Sequence, residues 1–121
     1  MTGKYIVAGS RDFTDFELLE RVLKEFEIGE IVCGGARGAD LLGKDYGEKY
    51  NIPVKMFPAD WKRYGNSAGP RRNIEMAEYA DALIAFWDGE STGTAHMIKE
   101  AHRRKLYTTV VKYIKSSEEE W

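Results

Sequence analysis

The chain has 121 residues, of which 43% are hydrophobic and 31% are charged, and its formal net charge is −2 at pH 7. This composition is typical of a single globular domain with one hydrophobic core, and it excludes a largely disordered chain. The acidic balance argues against a protein that coats a nucleic-acid backbone, because neutralising phosphates requires a basic surface.

Five short apolar runs predict five β-strands. Several of these runs are continuous rather than alternating, as is typical of parallel strands that helices cover on both faces. In chain order, the predicted strands are Tyr5–Ala8, Glu30–Cys33, Val54–Phe57, Ala82–Trp87 and Thr108–Val111.

Helical patterns lie between the strands. In the first, Thr14 and Glu17 form a capping box, and one helical face collects Leu18, Leu19, Val22, Leu23 and Phe26. Three later helices are expected, which run from Asp40 to about Tyr50, from Pro70 to near Ala80, and from Thr92 or Thr94 to about Arg103. The segment Pro58–Gly69 is predicted to be a long irregular loop, and such loops are often functional.

The alternation of strands and helices through short links predicts an α/β fold with a parallel sheet and right-handed crossovers. One domain is expected over residues 1–115, followed by a flexible acidic tail over residues 116–121. No stretch is apolar and long enough to span a bilayer, and the first apolar run is short for a signal peptide. Because Cys33 is the only cysteine, no internal disulfide can form, and a cytoplasmic location is predicted.

Glycines, hydroxyl residues and arginines follow four of the predicted strands. In a doubly wound sheet, ligands bind beyond the carboxyl ends of the strands, where helix N-termini offer free N–H groups. The predicted ligand-binding residues are Gly9, Ser10 and Arg11 after the first strand, Gly34, Gly35, Arg37, Gly38 and Asp40 after the second, Trp61, Arg71, Arg72 and Asn73 after the third, and Ser91, Thr92, Gly93 and Thr94 after the fourth.

Each of these residues also has an ordinary structural explanation. Gly34 and Gly35 can satisfy a tight strand–helix turn without any ligand, and the hydroxyl residues can be helix caps. Asp40 is balanced between a helix N-cap and a contact with ribose hydroxyls. Arg71 and Arg72 lie at a predicted helix N-terminus, where the dipole disfavours cations, so at least one of them is expected to have an anionic partner.

Several common motifs are absent from the sequence. There is no G-x-x-x-x-G-K-[ST], which excludes a P-loop NTPase, and the run "GGARGAD" does not match the G-x-G-x-x-G of NAD-binding proteins. Histidines and carboxylates do not cluster at metal-ligand spacing. No metal site and no cofactor are therefore predicted.

The runs "IVAGSRDF", "IVCGGARGAD", "FPADW…YGNSAGPRRNIEM" and "DALIAFWDGESTGTAHMIKEA" together resemble the SLOG superfamily and, within it, the YspA-like group. The resemblance covers about Ile6 to Ala101. It implies a Rossmann-like three-layer sandwich with a five-stranded, mostly parallel sheet that binds nucleotides or nucleotide-derived ligands. Relatives include lonely-guy phosphoribohydrolases, the single-stranded-DNA-binding DNA-processing protein A family, and sensors of nucleotide second messengers.

The resemblance also bears on catalysis. The phosphoribohydrolase relatives carry P-G-G-x-G-T-x-x-E, and in the run "STGTAHM" Gly93 and Thr94 match while Met97 stands at the glutamate position. A thioether can neither exchange a proton nor stabilise developing positive charge. The comparison therefore favours binding without turnover and leaves the catalytic residues unknown. Candidates for a substitute acid or base are Glu90, Asp88, Asp12 and His96.

The expected function is thus the binding of a nucleotide or nucleotide-derived small molecule, with a signalling nucleotide among the candidates. Trp61 or Tyr64 would stack on the base. Two alternatives stay open: a nucleoside-monophosphate N-glycosidase with a non-standard acid or base, and a single-stranded nucleic-acid binder, which the acidic charge disfavours. A homodimer is expected, because "MIKEAH" and the first helix offer apolar surface.

Overall fold

The computed structural model describes residues 3–114, and all five predicted strands are present within them. The strands are β1 (Gly3–Gly9), β2 (Ile28–Cys33), β3 (Val54–Met56), β4 (Ala82–Trp87) and β5 (Tyr107–Lys112). They form one sheet in the order β3-β2-β1-β4-β5, and every neighbouring pair is parallel. The predicted fold class is confirmed, and the sheet is wholly rather than mostly parallel. The predicted tail over residues 116–121 lies outside the described residues.

Helices cover both faces of the sheet. They are α1 (Phe16–Leu23), α2 (Ala39–Lys49), the short α3 (Trp61–Tyr64), α4 (Ala68–Tyr79) and α5 (Thr92–Arg103). On β1, Ile6 and Ala8 pack with α4 and α5, whereas Val7 between them packs with α1 and α2. Because successive strand residues point to opposite faces, the continuous apolar runs serve two cores at once. The result is the expected three-layer sandwich.

The order of the strands reverses beside β1. From β1 the chain proceeds through β2 and β3 on one side, and β4 and β5 then lie on the other. The carboxyl ends of β1 and β4 meet at this switch point, where Gly9 pairs with Phe86. Open α/β sheets bind their ligands at such a point, so the fold itself indicates where a site lies.

Two predictions about helix boundaries are wrong. The capping box on Thr14 does not form, because Asp15 is the N-cap of α1 and its Oδ1 accepts the N–H of Leu18 at 3.0 Å. Aspartate is the stronger N-cap of the two neighbours. The segment Pro58–Gly69 is not irregular, since it contains α3, a 3₁₀ turn and the first residues of α4, which begins two residues before Pro70.

Much of the apolar surface expected to support a homodimer is buried within the chain. In α5, Met97 and Ala101 are buried in one core, and in α1, Leu19 and Leu23 are buried in the other. These side chains belong to the cores of one chain and cannot contact a second copy. The homodimer itself stays a prediction. Within residues 3–114, no helix is long and apolar enough to cross a membrane.

Leu19 and Leu41 form a matched pair for testing this packing, because Leu19 is fully buried and Leu41 is 40% exposed. We expect Leu19→Ala to lower the free energy of unfolding by about 2–5 kcal/mol, since it leaves a cavity in the core. Leu41→Ala should cost less than about 1 kcal/mol. Urea denaturation measures both, and equal losses would contradict the burial of α1.

Candidate functional site

A cavity of about 690 Å³ lies at the switch point, beyond the carboxyl ends of β1 and β4. Loops after four strands contribute to its wall, as the sequence predicts. Of the predicted site residues, those that line the cavity are Gly9, Ser10, Arg11, Asp40, Trp61, Arg72, Asn73, Ser91, Thr92, Gly93 and Thr94. Those that the structure places outside the lining are Gly34, Gly35, Arg37, Gly38 and Arg71.

The N-terminus of α5 opens onto this cavity. Its N-cap is Ser91, whose Oγ accepts the N–H of Thr94 at 3.4 Å, and Asp88 Oδ1 accepts the N–H of Ser91 at 2.8 Å. The first N–H groups of a helix have no partner within the helix, and the helix dipole makes that end attractive to anions. A methyl group added at Gly93 would meet no atom within 4 Å, so the space in front of this helix end is open.

Arg72 contributes a positive charge to the wall of the cavity. Its Nη1 donates to the carbonyl of Gly34 at 2.9 Å, and its Nε donates to Asn73 Oδ1 at 3.1 Å. A guanidinium has five N–H groups, so these two bonds fix its plane and leave donors for a ligand. A Cβ on Gly34 would lie 2.1 Å from Arg72 Nη1, so the guanidinium occupies its present position only with glycine there.

The neighbouring Arg71 does not line the cavity. Its guanidinium carbon lies 4.2 Å from the ring centroid of Tyr64, and its Nε donates to Ser67 Oγ at 3.2 Å. Arg63 lies over the same ring at 5.1 Å, so arginines already contact Tyr64. By contrast, Trp61 lines the cavity and is 51% exposed. The sequence offered Arg71 or Arg72 for an anion and Trp61 or Tyr64 for a base. The cavity includes Arg72 and Trp61.

The sequence left open whether Asp40 is a helix N-cap or a ligand contact. Asp40 is not the N-cap of α2, because that position is Gly38. Asp40 lines the cavity but is only 5% exposed, and its Oδ2 accepts the N–H of Gly34 at 2.9 Å. Burial raises the pKa of this carboxyl to about 6. The carboxylate therefore holds the turn after β2 in place while it faces the cavity.

The other glycines of this turn let backbone segments approach one another. Gly35 and Gly38 have φ of +81° and +83°, which a residue with a side chain adopts only under strain. A Cβ on Gly38 would lie 2.2 Å from the carbonyl oxygen of Ser10, in the loop after β1. Gly38 thus brings two cavity loops together, whereas Arg37 is exposed at the surface.

Three comparisons with known proteins bear on this site. The model of the YspA, cpYpsA-related SLOG family matches residues 4–64. The Gene 61 protein of Mycobacterium phage D29 is 35% identical over 111 residues, which cover 83% of this chain and 89% of the phage protein. The chain belongs to the YspA, cpYpsA-related SLOG family.

An X-ray structure of DNA processing protein A from Streptococcus pneumoniae has the same fold as this SLOG chain. The two superpose with a TM-score of 0.73 over 91% of the chain, at 17% sequence identity. The chain spans 50% of that structure, so the likeness concerns one part of the larger protein.

Several residues of the SLOG cavity were not among the predicted ligand-binding residues. Met97, at the position of the relatives' glutamate, is buried and lines the cavity, and Asp12, Asp88 and His96 line it too, whereas Glu90 does not. The remaining additions are Ala8, Ala36, Asn66, Gly69 and Pro70, which carry no sequence signal for binding. Within residues 3–114, no group of three or more His, Cys, Asp or Glu residues could hold a metal ion.

A polar chain extends from the cavity through α5. Asn73 Oδ1 accepts from Arg72, so its Nδ2 is the atom that lies 3.1 Å from His96 Nδ1. Since Nδ2 can only donate, His96 Nδ1 accepts and the ring proton is on Nε2, 3.8 Å from Oε2 of the buried Glu100. The sequence offers His96 as a candidate acid or base but does not reveal this contact, because its partner Asn73 belongs to another helix.

We expect Gly34→Ala to lower the free energy of unfolding by about 1 kcal/mol, because its methyl group would displace the end of the Arg72 side chain and break its hydrogen bond to the carbonyl of Gly34. The matched control is Gly93→Ala, where the added methyl group meets nothing within 4 Å. Chemical denaturation of both variants checks this. Equal stability of the two would mean that Arg72 does not pack on Gly34.

Proposed function

We propose that this SLOG domain binds a nucleotide or nucleotide-derived small molecule in the cavity at the switch point, without turnover. The observation that carries the proposal is that Arg72, the N-terminus of α5 and the exposed Trp61 all border one cavity of about 690 Å³. This volume is within the range of roughly 300–1,000 Å³ that is usual for small-molecule sites.

Each wall has a separate part in the proposal. The phosphate lies between the guanidinium of Arg72 and the N–H groups that open α5, since both favour an anion. The base stacks on the indole of Trp61. Arginine and backbone N–H groups recognise phosphate without reading the base, so the proposal covers a class of ligands that includes signalling nucleotides.

Arg72→Ala should weaken the binding of a nucleotide, whereas Arg71→Ala on the same helix should leave it unchanged. Loss of hydrogen bonds to a charged group predicts a weakening of roughly ten- to a hundredfold for Arg72→Ala. Calorimetric titration with AMP, ADP-ribose and cyclic AMP measures this, and circular dichroism verifies that both variants fold. Equal effects of the two variants would place the phosphate elsewhere.

Gly93→Ala distinguishes an effect on binding, measured by the same titration, from an effect on stability, measured by denaturation. Its methyl group has room in the ligand-free protein but occupies space that the phosphate needs. Unchanged stability with weaker binding is the expected pair of results. A Gly93→Ala protein that binds as tightly as the unmodified chain would remove the end of α5 from the proposed site.

A second candidate is the N-glycosidase, and the observation in its favour is that Asp12 and Asp88 line the cavity. The buried Met97 weighs against it, because no carboxylate stands at the glutamate position of the motif. We expect no free adenine when AMP is incubated with a high concentration of the protein, as measured by liquid chromatography. Adenine release that Asp12→Asn abolishes would favour the glycosidase instead.

The proposal also includes a cytoplasmic homodimer, and it favours a small molecule over the alternative of a single-stranded nucleic acid. The structural neighbour is named as a DNA processing protein, so a single-stranded oligonucleotide belongs in the titration. Sedimentation equilibrium determines the mass in solution and tests the homodimer. Oligonucleotide binding tighter than that of every mononucleotide would overturn the small-molecule assignment.

A further inference from the structure

Asp40 and Arg72 bind the two polar backbone atoms of one residue. The N–H of Gly34 donates to Asp40 Oδ2 at 2.9 Å, and the carbonyl of Gly34 accepts from Arg72 Nη1 at 2.9 Å. A carboxyl group and a guanidinium are thereby held at the same residue, and both side chains line the cavity. We call this arrangement the Gly34 clasp.

Burial disfavours the ionised form of Asp40, whereas neighbouring N–H groups and the charge of Arg72 favour it. From β2 Asp40 faces the thiol of Cys33, whose pKa burial raises to about 11 and which therefore carries no charge at neutral pH. The turn supplies the N–H groups of Gly34 and Ala36, and α4 supplies the positive charge of Arg72. On α2 itself the nearby cation is Lys44, whose charge lowers the pKa of Cys33. The remaining charged or titratable residues of the cavity are Arg11, Asp12, Asp88 and His96.

We propose that Asp40 takes up a proton when a phosphate ligand binds at Arg72, so that the cavity binds an anion and a proton together. This inference rests on the proposed function. A bound phosphate shares the positive charge of Arg72 and adds negative charge beside a buried carboxylate, and both changes favour the protonated form. The proton comes from solvent and returns to solvent when the ligand leaves.

Protonation also changes what Asp40 can do for the ligand. The carbonyl oxygen of a protonated carboxyl group still accepts the N–H of Gly34, so the clasp persists. The new O–H can donate to a phosphate oxygen, which an ionised carboxylate would repel. Asp40 thus selects an anionic ligand over a neutral nucleoside, and it does so more strongly at lower pH.

The direction of the pH dependence follows from thermodynamic linkage. In the ligand-free protein burial raises the pKa of Asp40 to about 6, and a bound phosphate raises it further. Affinity is therefore greatest below the ligand-free pKa and is lost as the pH rises through the pKa of the complex. Near neutral pH, binding is accompanied by proton uptake.

The direct test is an NMR titration of the Asp40 carboxyl carbon in the unmodified chain, without ligand and with saturating AMP. We expect a midpoint near 6 without AMP, and an upward shift of about one unit with AMP, which corresponds to about tenfold tighter binding at low pH. Because the signal belongs to Asp40, titration of the AMP phosphate does not enter the result. AMP that binds without moving this midpoint overturns the inference alone, whereas failure of AMP and the other mononucleotides to bind overturns the proposed function as well.

A matched pair of variants gives a second measurement. Asp45 is exposed on the same helix, so Asp45→Asn removes one charge without touching the cavity. Calorimetry of ADP-ribose binding in buffers of different ionisation enthalpy counts the protons taken up. Uptake by the unmodified chain and Asp45→Asn, and its loss in Asp40→Asn, is expected. Uptake that persists in Asp40→Asn would assign the proton to another group, and if that variant does not fold, the NMR titration decides.

Discussion

The two hydrogen bonds to Gly34 join the two helical layers of the protein at one point. Asp40 belongs to α2, which packs on one face of the sheet, and Arg72 belongs to α4, which packs on the other. Both side chains reach over the carboxyl edge of β2 to the same residue. The wall of the cavity therefore depends on the relative position of two helices that are otherwise separated by the sheet.

The carboxylates of the cavity accept hydrogen bonds from the loops that form its wall. Asp88 accepts the N–H groups that precede α5, and Asp12 accepts the hydroxyl of Tyr113 at 2.5 Å. Asp40 does the same for the turn after β2. Because these groups fix the loops, the guanidinium of Arg72 and the first N–H groups of α5 stay directed at the cavity. A mixed charge at the site is thus compatible with an anionic ligand.

The fold was predictable because it follows from patterns that lie within one segment of chain. Continuous apolar strands and short links were enough to give the sheet and its two cores. The sequence could not decide between Arg71 and Arg72, because neighbouring positions on a helix point in directions about 100° apart. Which arginine reaches the cavity depends on where α4 begins and on which arginine packs against the ring of Tyr64. The link between Asn73 and His96 depends on the packing of two helices, which no local pattern encodes.

Met97 shows how a binding site can share residues with a core. It lines the cavity, yet it packs with Met76, Leu83 and Ala101 in the core between the sheet and the pair α4 and α5. A carboxylate at this position would have to be desolvated on its core side, at a cost that only a bound partner or catalysis would offset. With a thioether there, Met97 adds no charge to the core, and the polar groups of the cavity come from the loops and from residues of α2, α4 and α5. This arrangement supports the proposed anion site, in which the buried carboxyl of Asp40 is the group proposed to change its protonation.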